Sequence, residues 1–296
     1  MADIGPTRDV DPVRPEGPVC VLGAGTMGHG IAQVAAMAGF ETRLHDVDEE
    51  ALSAGMEAVR SNLEKGVGLE KVEPSVRDRA LERLSAVGDA DEAAVGARVV
   101  IEAVPERLEL KRGVLSGAAA RAHGDALLGS NTSSLSIDEL ARGVDPGPER
   151  VVGVHFFNPV HIMELVEVVR GERSTERVVA RALGFAEAVG KTPVLVEDAP
   201  GFASSRLGVV LGLEAIRMVE EGVASPEDID RAMTLGYRHP MGPLKLGDLV
   251  GLDVRLEIAR YLHDELGERF RPPELLERMV EEGRLGKKTG QGFYEW

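Results

Sequence analysis

The sequence predicts an α/β protein in which an N-terminal doubly wound, mostly parallel sheet is followed by an all-α C-terminal domain. Three observations predict it. Short apolar runs alternate with segments of helical spacing as far as about residue 197, which is how strand–helix–strand units read in a sequence. The first run, Pro18-Val19-Cys20-Val21-Leu22, leads at once into Gly23-Ala24-Gly25-Thr26-Met27-Gly28, a glycine turn that opens a helix. From Pro200 onward almost every segment has helical spacing. The 296-residue length agrees with two domains, since single cores rarely grow beyond roughly 250–300 residues. The expected division is a disordered tail over 1–17, a nucleotide-binding sheet domain over 18–199 and a helical substrate and dimerisation domain over 200–296.

The elements follow in order. After the glycine turn the helical pattern ends near Gly39, and Glu41 to Asp46 reads as the second strand. Asp48 to about Lys65 and Pro74 to Leu84 are helical, Arg98 to Val104 is a strand, Pro105 to about His123 is helical and Ala126 to Ser130 is a strand. Val151 to Phe156 and Met163 to Val169 form two strands joined through the Asn158-Pro159 turn, and Thr192 to Glu197 is one more. Beyond the boundary, helices are predicted over Phe202 to Glu221, Pro226 to Leu235, Leu246 to Leu266 and Pro273 to Glu282. In the first of these, Leu207, Val209, Val210, Leu211, Leu213, Ile216, Met218 and Val219 leave too little polar face for the surface of a monomer. A homodimer interface is the expected cover.

Composition excludes several classes. At 43% hydrophobic and 28% charged residues the chain is of ordinary globular type, and no apolar run is long enough to span a membrane. Residues 1–18 hold four prolines and several charges without an apolar stretch, so a secretory signal is not expected and the cytoplasm is the expected location. The net charge of −16 argues against binding to nucleic acid or anionic lipid. Cys20 is the only cysteine; it excludes an internal disulfide, and within an apolar run it reads as core. No metal site is expected.

The glycine turn has its full context. It follows a strand, opens a helix, and Asp46 ends the next strand 23 residues after Gly23, which is the dinucleotide fingerprint of a Rossmann-type sheet. Gly23 permits the tight turn, Gly25 lets the backbone approach a pyrophosphate, Gly28 allows close helix–strand packing, and the helix N-terminus offers N–H donors to the anion. Thr26 and Met27 complete the turn. The Asp46 carboxylate would accept from a ribose 2′-hydroxyl and repel a 2′-phosphate, so the expected cofactor is NAD.

Val154-His155-Phe156-Phe157-Asn158-Pro159, taken with Ser130-Asn131-Thr132-Ser133-Ser134, resembles the 3-hydroxyacyl-CoA dehydrogenase family. Further landmarks stand in the family's order: Glu102-Ala103-Val104-Pro105-Glu106, Met163 to Val168, Pro200-Gly201-Phe202, Met241-Gly242-Pro243-Leu244 and Gly286 to Tyr294. The resemblance covers roughly residues 18 to 296. It implies oxidation of a short L-3-hydroxyacyl-CoA in fatty acid metabolism, with hydride passing to NAD and a histidine taking the hydroxyl proton. His155 falls on that histidine, and imidazole is independently the side chain whose pKa suits the task. Glu167 matches the glutamate that orients it; strand alternation alone leaves Glu164 and Glu167 on opposite faces without choosing between them. Ser133 matches a substrate- and nicotinamide-side serine, while Ala103, Glu106, Lys111 and Asn158 match cofactor-side positions.

Two departures stand out. Ser205 occupies a position where the family commonly has an active-site asparagine, and the lysines that usually follow Asn62-Leu63-Glu64-Lys65 are replaced by Gly66 to Glu70, leaving Arg60, Lys65 and Lys71 as candidate CoA contacts. These departures keep open a dehydrogenase of a small non-CoA acid such as L-carnitine or L-gulonate. A catalytically idle NAD-binding protein is the other alternative.

Overall fold

A computed structural model describes residues 12–296. These divide into two compact units that meet between Asp198 and Ala199. Part of the expected tail, residues 1–11, lies outside the described residues. Residues 12–17 depart from that expectation: the Val13 N–H donates to Ala180 O at 2.9 Å, Arg14 lies over the Phe40 ring at 5.4 Å, and Pro15 is buried.

In the first unit the strands are β1 (Val19–Leu22), β2 (Thr42–His45), β3 (Leu84–Ala86), β4 (Val99–Glu102), β5 (Leu127–Ser130), β6 (Val151–Phe156), β7 (Leu165–Arg170) and β8 (Thr192–Glu197). They form one eight-stranded sheet in the order β3-β2-β1-β4-β5-β6-β7-β8. Pairing is parallel from β3 through β6, β7 runs antiparallel to β6, and β8 runs parallel to β7. The helices are α1 (Thr26–Met37), α2 (Glu49–Gly68), α3 (Pro74–Arg83), α4 (Ala90–Ala94), α5 (Leu108–Arg121), α6 (Ile137–Arg142) and α7 (Glu176–Ala188). Val19, Val21, Val99, Ile101, Leu127, Val152 and Val154 are fully buried, as parallel strands require when both faces are covered. Cys20 is among them, and burial pushes its thiol up to about 12.

Local chemistry starts the helices. Asp48 caps α2 by accepting from the Glu50 and Ala51 N–H groups, Ser136 caps α6 through Glu139 N–H, and Thr175 caps α7 through Val178 N–H. The strand order reverses direction between β1 and β4, which opens a crevice beyond their C-terminal ends.

The second unit holds α8 (Ser204–Glu220), α9 (Pro226–Arg231), which runs into a π-helical turn at Ala232–Gly236, then α10 (Pro243–Val250), α11 (Leu252–Leu266) and α12 (Glu274–Glu281). Its core is Val209, Leu213, Ile216, Leu252, Leu256, Ala259, Leu262, Phe270, Leu276 and Met279. The single helix expected over Leu246 to Leu266 is broken. Gly251 has φ 107°, a left-handed value that ends α10, and the Leu252 N–H leaves the helix to donate to Leu285 O at 3.1 Å. Among the described residues no helix is long and apolar enough to cross a membrane. No group of three or more metal-ligating side chains was found among them.

Candidate active site

The glycine turn leaves β1 toward the crevice, with the Gly23 N–H donating to His45 O at 2.8 Å. A Cβ at Gly28 would stand 1.7 Å from Gly23 O, so only glycine lets α1 pack this closely on the turn. Nothing lies within 4 Å of the corresponding point at Gly25, which leaves its backbone open to an approaching group. The N-terminus of α1 has neither a side-chain cap nor an acidic residue in its first turn, so its leading N–H groups need an acceptor from outside the helix.

Asp46, just past β2, is fixed by two backbone donors: Ala24 N–H reaches Oδ2 at 2.7 Å and Asp48 N–H reaches Oδ1 at 3.1 Å. A carboxylate has about four acceptor sites, so lone pairs remain for ribose hydroxyls. Gly23, Gly25, Thr26, Met27, Asp46 and Ala103 line a cavity of about 810 Å³, ample for a nucleotide half. An uncapped helix start, a small-residue turn and a carboxylate at the second strand end fit NAD.

Farther along the same sheet edge, His155 near the end of β6 is directly opposite Glu167 of β7. His155 Nδ1 and Glu167 Oε2 are 2.9 Å apart, and both residues are buried. Register therefore makes the choice that alternation left open: Glu164 precedes β7 and is exposed. The pair engages Nδ1, and the centroid of the Phe157 ring lies 4.5 Å from that of the imidazole.

The loop after β5 carries Ser133, whose N–H donates to Glu106 Oε1 at 3.0 Å. Its hydroxyl has no protein partner among the described residues. Glu106 Oε1 also accepts from Thr132 Oγ1 at 2.5 Å and from the Ser134 N–H at 3.3 Å. Burial raises the Glu106 carboxyl, but Lys111, Thr132 and the Ser133 N–H outweigh it and hold the group below the ordinary glutamate value. Asn158 is exposed in the segment after β6. Arg60, Lys65 and Lys71 are exposed, the first two on α2 and the third just after it. Ser205 belongs to the second unit, half-buried in the first turn of α8.

Lys111, expected on the cofactor side, is held by protein groups. It is 1% exposed, and its Nζ meets Glu102 Oε1 at 2.7 Å, Val104 O at 3.0 Å and Glu106 Oε2 at 3.2 Å. Three protein acceptors match the three donors of an ammonium. Sequence reasoning also missed Glu102 and Asn131 as site residues. Asn131 Oδ1 accepts from the Phe156 N–H at 2.8 Å, and so ties β5 to β6 past the last paired residues, Ser130 and Gly153. The signal was present in the Ser-Asn-Thr-Ser-Ser run, but no spacing rule connects position 131 to position 156.

A glycine turn with its carboxylate on one half of a doubly wound sheet and a buried His–Glu pair on the other define a nicotinamide-dependent dehydrogenase. Residues 18–199 match the NAD binding domain of 3-hydroxyacyl-CoA dehydrogenase, and residues 201–296 match the C-terminal domain of the same enzyme. The chain belongs to the 3-hydroxyacyl-CoA dehydrogenase family. It is 44% identical over 283 residues to a probable 3-hydroxybutyryl-CoA dehydrogenase of Bacillus subtilis, covering 94% of this chain and 96% of that protein. Among solved structures it is similar to FadB2 of Mycobacterium tuberculosis, with TM-score 0.90, 42% identity, and 96% and 100% of the two chains covered. It is also similar to the (S)-3-hydroxybutyryl-CoA dehydrogenase of Ralstonia eutropha, with TM-score 0.90, 37% identity, and 94% and 98% covered.

Proposed function

We propose that the chain oxidises the 3-hydroxyl of a short L-3-hydroxyacyl-CoA, 3-hydroxybutyryl-CoA, to the 3-oxoacyl-CoA, with His155 as general base. The observation that carries this reading is the buried His155–Glu167 pair, 2.9 Å apart, on the sheet that bears the glycine turn. NAD, when bound, supplies the acceptor for the hydride that leaves C3. His155 takes the hydroxyl proton at Nε2, and Glu167 holds the Nδ1 proton, fixing the tautomer and stabilising the imidazolium that forms. In the reductive direction the same nitrogen returns the proton. Ser133 is assigned to the substrate oxygen, which suits a hydroxyl without a protein partner among the described residues.

A CoA thioester is polyanionic and the chain carries a net charge of −16, so docking depends on local cations. Arg60, Lys65 and Lys71, exposed at and just after α2, are the residues we assign to that task. The test is NADH formation with 3-hydroxybutyryl-CoA, L-carnitine and L-gulonate in parallel, each with NAD and with NADP. Turnover of the CoA ester with strong preference for NAD is expected. Turnover of a free acid instead would overturn the substrate, and preference for NADP would overturn the role of Asp46.

A second copy of the chain is the partner we assign to the second unit. Leu207 and Leu211 of α8 are 62% and 44% exposed, and Leu246 and Leu249 of α10 and Val254 of α11 are exposed as well, an apolar face of the kind that self-association buries. Sedimentation at micromolar protein should give a dimer; a species of 31.6 kDa would contradict it.

A further inference from the structure

Glu102, the last residue of β4, is 0% exposed, and a buried carboxylate persists only where its neighbours compensate it. Here they come from three places in the chain. Lys111 of α5 reaches Oε1 at 2.7 Å, the Val104 N–H of the β4–α5 connection reaches Oε1 at 2.8 Å, and Ser130 Oγ at the end of β5 donates to Oε2 at 2.7 Å. Lys111 in turn spends its remaining donors on Val104 O and Glu106 Oε2. Glu106 then gathers Thr132 Oγ1 and the Ser133 and Ser134 N–H groups on its other oxygen. The result is an alternating row of charge, Glu102, Lys111, Glu106, that ends on the backbone of Ser133.

We infer that Glu102 and Lys111 are positioning residues for the reaction proposed above: their buried pair fixes Glu106, and Glu106 fixes the loop that carries Ser133. Lys111 thus acts through Glu106. The row works because Lys111 has a carboxylate on either side and is the one counter-ion the two glutamates share. Neutralising Glu102 leaves Lys111 with Glu106 as its sole counter-ion and draws that carboxylate off the loop. Neutralising Lys111 leaves the buried Glu102 carboxylate without its cation and beside the more exposed carboxylate of Glu106.

The test is a double-mutant cycle of Glu102→Gln and Glu106→Gln, read as kcat/KM for 3-hydroxybutyryl-CoA. Glu102→Gln should lower it by roughly 10- to 100-fold, the scale of an ångström-level misplacement at an active site. In the Glu106→Gln background the same change should cost less than about twofold, because residues acting in one chain are not additive. A role confined to folding does not produce that coupling. Independent losses that multiply, or a Glu102→Gln enzyme equal to wild type, would overturn the inference. Should Glu102→Gln fail to melt cooperatively, Ser130→Ala removes one donor from Glu102 without unpairing a charge. It should cost a few-fold in the wild-type background and nothing in Glu106→Gln, and equal losses in both backgrounds would overturn the inference. Wild-type turnover is measured alongside. If the wild type oxidises a different hydroxy acid, the substrate reading fails and the cycle is run on that acid, so the two failures are told apart.

Discussion

The two units bury their charges for different purposes. In the second, Asp230 accepts from the Leu244 and Lys245 N–H groups and from Tyr294 Oη, and Asp248 accepts from the Phe293 and Tyr294 N–H groups and from Trp296 Nε1. Nearly all those donors are backbone or indole, groups with no proton to exchange near neutrality. These aspartates staple the start of α10 and the C-terminal segment. In the first unit the buried carboxylates face side chains that carry or exchange charge: Glu167 faces His155, and Glu102 faces Lys111. The difference teaches that burial alone does not mark a working residue. The partner does.

If that contrast holds, mutations in the two units should separate by readout. The largest effect is expected from His155→Ala, which should lower kcat by roughly 10²- to 10⁴-fold, the usual range for loss of a general base, while NAD binding persists. A folded variant with near-normal turnover would remove the chemical half of the contrast. Asp248→Asn should act on stability instead. It sets an amide N–H₂ against donors that now share a carboxylate, and an unmet buried donor costs about 1–3 kcal/mol, which should lower the thermal midpoint by at least about 2 °C. An unchanged midpoint would show that Asp248 is not a staple.

The smallest effect belongs to Ser205→Asn. The serine oxygen stops short of an amide's reach, so any part it plays in the proposed reaction would need a bridging water. Its neighbours Ala203 and Ser204 are also small, and we expect an added amide to cause a moderate drop in kcat/KM through crowding. Equal kcat/KM in steady-state kinetics of the two proteins would remove Ser205 from the site.

Much of this arrangement was legible beforehand. The strands of the first unit, other than the three-residue edge strand β3, lie within about two residues of where apolar runs put them; for β1, β4, β5 and β6 the reason is that burial on both faces writes a continuous signal. The Asp46 turn was legible because its parts sit at fixed offsets along one strand–helix–strand unit. Other elements were not. Leu84 reads as the end of a helix, yet it opens β3, since pairing with Thr42 across the sheet overrides its local pattern. Helix α7 went unassigned although β7 and β8 are parallel neighbours, a pairing that demands a crossover between them. Short α4 and α6 were missed despite Asp89…Glu92 and Ser136…Glu139, each a capping-box spacing.

In the site, the turn residues and His155 were visible as motifs, whereas Glu167 needed the resemblance until β6–β7 register supplied a physical reason. The row of Glu102, Lys111 and Glu106 was invisible as a unit. Its members meet through three dimensions, and a lysine that reads as a solvated helix charge is 1% exposed only because a carboxylate waits beneath it.

The central claim is that the buried pair on β6 and β7 exists for chemistry. It is tested most directly by measuring kcat on 3-hydroxybutyryl-CoA for Glu167→Gln, with the thermal midpoint of the same sample. A glutamine can still accept from Nδ1 but cannot stabilise an imidazolium, so the account predicts a fall of at least about 10²-fold in kcat with the midpoint within about 3 °C of wild type. An intact kcat beside a lowered midpoint would mean that Glu167, like Asp248, only holds the fold together.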